Sequence, residues 1–251
     1  MSNIFFRSLR FPFRLFGYDV IKKQSFDPVI DEDLLFLDLY KQCKPYTMTS
    51  KERMYALYKC VEFIIKKDIK GDFVECGVWK GGSSMMIALT LLANNTSDRK
   101  IYLYDTFEGM SEPTDDDISL KEKIGAKSFW KKKKKGDINL WCYGGIEEVK
   151  TNMIKTNYSM ENIVFIKGMV ENTIPNVIPS KISLLRLDTD WYESTKHELI
   201  HLFPVLQKNG VLIIDDYGHW AGAKKACDEY FIDNPILLNR VDYTARVGVK
   251  S

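Results

Sequence analysis

Two short acidic segments stand out for their chemistry. Leu187-Asp188-Thr189-Asp190-Trp191-Tyr192 and Ile214-Asp215-Asp216-Tyr217-Gly218 each follow an apolar run that reads as a β-strand. Carboxylates gathered at neighbouring strand ends repel one another unless something neutralises them. An all-oxygen donor set suits Mg2+ or a similarly hard cation. Such a cation lowers the pKa of a hydroxyl bound beside it. Asp188, Asp190, Asp215 and Asp216 are therefore all candidate ligands, although any one of them could instead cap the following helix. Read by itself, Asp188-Thr189-Asp190 also matches the DxD pair with which a glycosyltransferase binds a metal and a nucleotide sugar.

A second constellation lies earlier in the chain. Glu75-Cys76-Gly77-Val78-Trp79-Lys80-Gly81-Gly82-Ser83 ends a short apolar run with a glycine-rich turn into a helix. Gly77 permits a tight turn and close approach of a ligand to the backbone. The helix start offers free N–H groups to an anion such as a carboxylate. The spacing is not GxGxxG, which counts against NAD. The acidic Glu75 discourages a phosphate and suits a sulfonium or ammonium group. The next strand ends in Asp105-Thr106-Phe107, where an acid can accept hydrogen bonds from a ribose diol. Asp105 could equally serve as a turn residue.

These residues need a sheet to bring them together, and the hydropathy pattern supplies one. Helical spacing over 52–67 precedes alternating strands and helices: strands at 72–76, 100–107, 162–168, 181–188 and 210–216, helices at 83–93, 145–156, 194–207 and 220–231. Two short pieces near 236–241 and 245–249 could close the sheet as a hairpin. This order specifies an α/β fold with a mostly parallel sheet covered by helices on both faces. Ligands of such sheets bind beyond the carboxyl ends of the strands, where the acidic and glycine-rich segments fall.

In that order and spacing, Tyr46-Thr47-Met48-Thr49, GDFVECGVWKGGS (71–83), YDTFEGM (104–110), GMVENTIP (168–175), LLRLDTDWYEST (184–195) and GVLIIDDYGHWAGAKKACDEYF (210–231) resemble the macrocin O-methyltransferase (TylF/MycF) family over residues 46–231. The resemblance implies a Rossmann-like class I methyltransferase fold with a seven-stranded sheet, a lid insertion at about 111–145, and S-adenosyl-L-methionine and Mg2+ as cofactors. It implies transfer of a methyl group to a sugar hydroxyl. Glu75, Cys76, Gly77 and Val78 would hold the methionine end of the cofactor, with Met48 and Thr49 bordering it. Asp105 would hold the ribose beside Thr106, and Val170 and Glu171 would flank the adenine. Asp188, Asp215 and Asp216 are implied as metal ligands, with Asp188 also the carboxylate nearest the reacting hydroxyl. By their position just after the two acidic strand ends, and not by the resemblance, Asp190, Tyr192 and His219 are candidates to face the acceptor. No particular acceptor is implied, because residues 111–145 match the family least; a deoxysugar, nucleotide sugar or surface glycan all fit.

Composition narrows the partners. The 251 residues carry 36 basic and 34 acidic side chains, so the whole protein is no electrostatic binder of nucleic acid. Its five cysteines are odd in number and lack a CxxC pair, which fits a reducing cytoplasm. No apolar run approaches the ~18–20 residues that span a bilayer. Residues 1–24 mix Phe, Leu and Ile with Arg and Lys, which suits either an arm packed on the domain or a second subunit of a homo-oligomer, or a peripheral contact with an anionic membrane. The expected division is an arm and helix over 1–45 and the catalytic domain over 46–251. Lys131–Lys135 reads as a solvated run or as an electropositive lid drawing an anionic acceptor. His197 and His201 lie four apart on a helix, a metal-binding spacing, but without an HExxH acid.

Overall fold

The computed structural model describes residues 26–251, so the basic aromatic arm of residues 1–24 lies outside the described residues. The chain forms two units, Met1–Leu34 and Leu35–Ser251. In the first, helix α1 (Pro28–Asp31) is capped by Asp27, whose Oδ1 accepts the Val29 and Ile30 N–H groups at 2.9 and 3.3 Å.

In the second, α2 (Leu34–Cys43) buries Phe36, Leu39 and Cys43, and the Phe36 ring meets Tyr55 edge-on at 4.9 Å. That packing belongs to the unit beginning at Leu35. Helix α3 (Lys51–Lys66) starts where Ser50 accepts the Arg53 N–H at 3.2 Å, and Met54, Leu57, Tyr58, Val61 and Ile64 form its buried face. Then follow β1 (Asp72–Cys76), α4 (Gly82–Ala93) and β2 (Ile101–Asp105). The insertion holds α5 (Ala126–Lys133) and a hairpin of β3 (Lys134–Lys135) and β4 (Ile138–Asn139). The chain continues through α6 (Ile146–Ile154), β5 (Ile163–Lys167), α7 (Val170–Thr173), β6 (Ile182–Leu187), α8 (Tyr192–Leu202), β7 (Leu206–Ile214), α9 (Ala221–Tyr230), β8 (Asn239–Arg240) and β9 (Arg246–Val249).

The seven-stranded sheet runs β5-β2-β1-β6-β7-β9-β8. Its first five strands are parallel, and β9 pairs antiparallel with both β7 and β8, which is the expected closing hairpin. Helix α8 stops at Leu202 and β7 begins at Leu206, against a helix expected to reach 207. Pro204 accounts for the difference, since it has no N–H to continue the helix. All six residues of β6 are buried, as a central parallel strand requires. Each of its leucines contributes roughly 1.5–3 kcal/mol of hydrophobic stabilisation.

Connections leave β1 toward β2 and β5 on one side, and the chain returns to β6 and β7 on the other. The direction reverses between β1 and β6, and a crevice opens there at the carboxyl ends. Among the described residues no helix is long and apolar enough to cross a membrane. All five cysteines are free thiols.

Candidate active site

Four of the parallel strands, β1, β2, β6 and β7, lead into one cleft of about 400 Å3, lined by Gly77, Asp105, Asp188 and Asp215 at or just after their carboxyl ends. Gly77 follows β1 with φ +84°, and a Cβ there would lie 2.0 Å from the Asp188 carbonyl oxygen. Only glycine lets the turns after β1 and β6 touch. Asp105, ending β2, fastens two turns: Oδ2 accepts the Val78 and Trp79 N–H groups at 2.6 and 3.1 Å, and Oδ1 accepts the Phe107 N–H at 2.7 Å. Burial raises its pKa, and these N–H donors oppose the rise.

Met48, Thr49, Gly77, Val78, Asp105, Asp188, Asp190, Asp215, Asp216 and His219 all line this cleft. Thr106, Val170 and Glu171 line a smaller adjoining one of about 60 Å3, which shares Gly77, Asp105 and Asp188 with the first. Three expected residues stand apart. Cys76 is fully buried in the apolar core, and Glu75 is fully buried behind the cleft. The Tyr192 hydroxyl donates to Glu229 Oε2 at 2.7 Å and accepts from Lys196 at 2.6 Å, outside the cleft lining. Of the histidines, His197 contacts the Ile174 carbonyl at 2.9 Å and belongs to no cluster of possible metal ligands.

Part of the charge of the acidic cluster is neutralised from within the protein. Arg186, two residues before Asp188 on β6, is 2% exposed. Its Nη1 donates to Glu75 Oε1 and Asp188 Oδ2, both at 2.7 Å, and its Nη2 donates to Asp215 Oδ1 at 2.6 Å. Arg53 of α3 donates to the other oxygen of Asp215 and pairs with Asp242 at 3.1 Å. Burial would lower the pKa of either guanidinium, but the surrounding carboxylates outweigh it and keep both protonated. Arg186 is the one charged residue in β6. The signal was there: an arginine in a strand buried on both faces must find carboxylates. Arg53, 162 residues from its partner, left no comparable trace.

The two guanidinium groups pair with Glu75, Asp188, Asp215 and Asp242, and neither pairs with Asp190 or Asp216. What remains uncompensated lies at Asp190 and Asp216. Asp190, with φ +68°, accepts the Trp220 indole N–H at 2.8 Å. Burial pushes its pKa up to about 6, against the opposing bonds to Asp216 and Trp220. Burial, then the negative charge of Asp190, Asp188 and Asp215, drives the Asp216 carboxyl well up. Asp216 Oδ2 is buried without any hydrogen-bond partner. One oxygen from each of Asp188, Asp215 and Asp216 lies within 4.8 Å of the others. An orphaned acceptor within such an oxygen-only set fits a hard cation.

His219 also carries a buried unpartnered atom, Nδ1, and burial lowers its pKa, which leaves the imidazole neutral at pH 7. The cleft wall is completed by Trp79 and Trp220, which fall within matched segments but had no role assigned, and by Trp141 and Tyr243, which fall outside them.

Against known proteins, residues 31–247 match the family model of the macrocin-O-methyltransferases (TylF). The chain is 30% identical over 222 residues, 86% of its length and 76% of the relative's, to 8-demethyl-8-(2,3-dimethoxy-alpha-L-rhamnosyl)-tetracenomycin-C 4'-O-methyltransferase of Streptomyces olivaceus. It is 30% identical over 185 residues, 74% of its length and 67% of the relative's, to demethyldecarbamoylnovobiocin O-methyltransferase of Streptomyces niveus. The solved structure of the O-methyltransferase NovP superposes with a TM-score of 0.72 at 28% identity, covering 82% of each chain. None of these is a glycosyltransferase, and the DxD alternative finds no support.

Proposed function

This chain belongs to the macrocin O-methyltransferase (TylF) family and is an S-adenosylmethionine-dependent O-methyltransferase, and from that premise we propose that it methylates a sugar hydroxyl with Mg2+ held by Asp188, Asp215 and Asp216. The observation that carries the metal is the convergence of three carboxylate oxygens within 4.8 Å, one of the three residues having a buried oxygen with no partner. The observation that supports a sugar acceptor is the relatives, one named as a 4'-O-methyltransferase of a rhamnosyl compound.

S-adenosylmethionine, when bound, supplies an electrophilic methyl group on a sulfonium centre. A divalent cation, when bound, supplies positive charge that makes a neighbouring hydroxyl more acidic. The chain's own residues do the rest. The turn at Gly77 and Val78 takes the methionine end, with Met48 and Thr49 along it. Asp105 reaches the ribose beside Thr106, and Val170 and Glu171 border the adenine in the adjoining cleft. Arg186 occupies Asp188 Oδ2, which leaves Asp188 Oδ1 to take the proton of the acceptor hydroxyl. Burial, then the charges of Asp215 and Asp190, raise the Asp188 pKa against the lowering by Arg186, and a cation held on the same carboxylate would oppose that rise. Neutral His219 and Asp190 are placed to hydrogen-bond the acceptor, and Trp141 and Trp220 keep water from it. Orientation of acceptor against donor then provides much of the rate.

Titration calorimetry with S-adenosylmethionine, and mass spectrometry for a gain of about 14 Da on a sugar panel (the CH2 of one methylation), test the reading. Asp188→Asn is expected to retain cofactor binding and lose turnover. Near-normal turnover of that variant, or methylation undiminished by EDTA, would overturn the assignment of the base or of the metal respectively.

A further inference from the structure

The insertion between β2 and α6 is fastened to the strand ends rather than hung over them. Asp117 is fully buried; its Oδ1 accepts the Tyr192 N–H at 2.8 Å and its Oδ2 the Thr114 N–H at 2.6 Å. The Leu120 N–H donates to the His219 carbonyl at 2.8 Å, and the Asn139 N–H to the Glu108 carbonyl at 2.8 Å. The Trp191 indole donates to the Ser111 carbonyl at 3.0 Å. Through these bonds the insertion forms one fixed wall of the cleft.

That wall carries a continuous aromatic strip from the acids outward. Trp220, bonded to Asp190, meets Trp141 at 6.0 Å between ring centres. Trp141 meets Phe129 edge-on at 4.6 Å. Phe129 is 45% exposed, and Lys133, one helical turn later, sets its Nζ 5.4 Å from the Phe129 ring centre. Lys134 lies 4.9 Å over Trp130. Lys131 through Lys135 are all exposed, and none has a carboxylate partner among the described residues. Three acids of the insertion are engaged elsewhere, Asp115 with Lys127 at 2.7 Å, Asp116 with Lys225 at 3.0 Å and Asp117 in the anchor, while exposed Asp137, two residues beyond the run, is the one acid beside it in sequence.

Sugar rings present apolar C–H faces that stack on aromatic side chains, and lysines serve as point charges for phosphate. One end of the strip holds the carboxylate cluster with its two guanidiniums, and the other carries five lysines without a carboxylate partner among the described residues. An acceptor with an anionic tail would be drawn by that tail to the lysines, which sets its direction in the cleft. We propose that Trp141, Phe129 and the Lys131–Lys135 run form an outer acceptor subsite for a phosphate-bearing sugar, with the phosphate on the lysines and the methylated ring against Trp220. This rests on the sugar O-methyltransferase reading. The same phosphate chemistry is offered by a nucleoside-diphosphate sugar and by a phosphorylated glycan.

The experiment compares kcat/KM for a nucleoside-diphosphate sugar, a phosphorylated oligosaccharide and the corresponding neutral sugars. It uses the wild type, Lys131→Ser/Lys133→Ser/Lys134→Ser, the matching Lys→Arg triple, and Phe129→Ala. The Ser triple is expected to lower the preference for the phosphorylated over the neutral acceptor by about tenfold, chiefly through KM. The Arg triple is expected to retain the preference. Raising salt from 0.05 to 0.5 M, which shortens the screening length from ~14 to ~4 Å, should erode the wild-type preference but not that of the Ser triple. The arm that loses its preference identifies the source of the phosphate. Calorimetry with S-adenosylmethionine and with the nucleoside diphosphate alone accompanies the kinetics. An equal preference in wild type and Ser triple for both phosphorylated acceptors, with cofactor binding intact, overturns the subsite alone. Failure of the wild type to bind S-adenosylmethionine overturns the reading beneath it.

Discussion

Replacing Arg186 with methionine deletes the guanidinium that joins Glu75, Asp188 and Asp215 at 2.7, 2.7 and 2.6 Å. The three carboxylates are not equally exposed to the loss. Asp215 keeps Arg53, and the Asp188 side chain is 28% exposed and can be hydrated. Glu75 is fully buried and keeps only the hydroxyls of Ser83 and Ser84. Removing one member of a buried ion pair costs about 3–5 kcal/mol, most of it here falling on Glu75. For a domain of this size that corresponds to a fall in Tm of roughly 6–20 °C. Urea unfolding in EDTA, without cofactor, is the assay. The pH dependence separates this cause from lost packing. Burial already raises the Glu75 pKa, and Arg186 opposes the rise. Without Arg186 the folded-state pKa climbs further above its unfolded value. A group raised in this way favours the folded state at low pH, and that contribution is lost as pH rises through the folded-state pKa. The deficit of Arg186→Met against wild type should therefore shrink from pH 7 to pH 5, and Glu75→Gln should relieve part of it. A loss below about 1 kcal/mol, or a deficit that grows on acidification, would refute the account.

Asp216→Asn should leave the cation-free fold as stable or up to about 1 kcal/mol more stable, because it removes a buried carboxyl crowded by other acids, and should abolish the rise in Tm expected of the wild type with Mg2+; paired thermal melts with Mg2+ and with EDTA check both. Gly77→Ala drives a Cβ to 2.0 Å from the Asp188 carbonyl oxygen at a φ of +84°, and should lower stability by about 2–4 kcal/mol and S-adenosylmethionine affinity with it, measured by urea unfolding and calorimetry. Asp117→Ala strips the acceptor from the Tyr192 and Thr114 N–H groups and should cost about 1–3 kcal/mol, with faster limited proteolysis confined to 111–145. Tyr192→Phe, whose lost hydroxyl bonds Glu229 and Lys196 outside the cleft, should change kcat/KM by less than about twofold in the methylation assay, a larger fall returning Tyr192 to the acceptor site.

The alternation of strands and helices, the acids at the ends of β2, β6 and β7, and the glycine after β1 were all legible in the chain, because each is a local pattern. Strand and helix periodicities are written in neighbouring residues, and a strand's last residue is where a parallel sheet collects its ligands. Even the end of α8 was available in Pro204. What balances the acids was not legible, because charge compensation depends on distance in space. Arg53 meets Asp215 across 162 positions, and Asp188 comes near Asp215 only through the pairing of Leu187 with Ile214 in adjacent strands. The long insertion carried no periodicity to follow, so its hairpin, its anchor at Asp117 and the meeting of Trp141, Trp191 and Trp220 belong to the tertiary structure alone. The linear chain determined which chemical groups arrive at the crevice. Packing decided which of them are already satisfied there and which, like Asp216 Oδ2 and His219 Nδ1, are left without a partner.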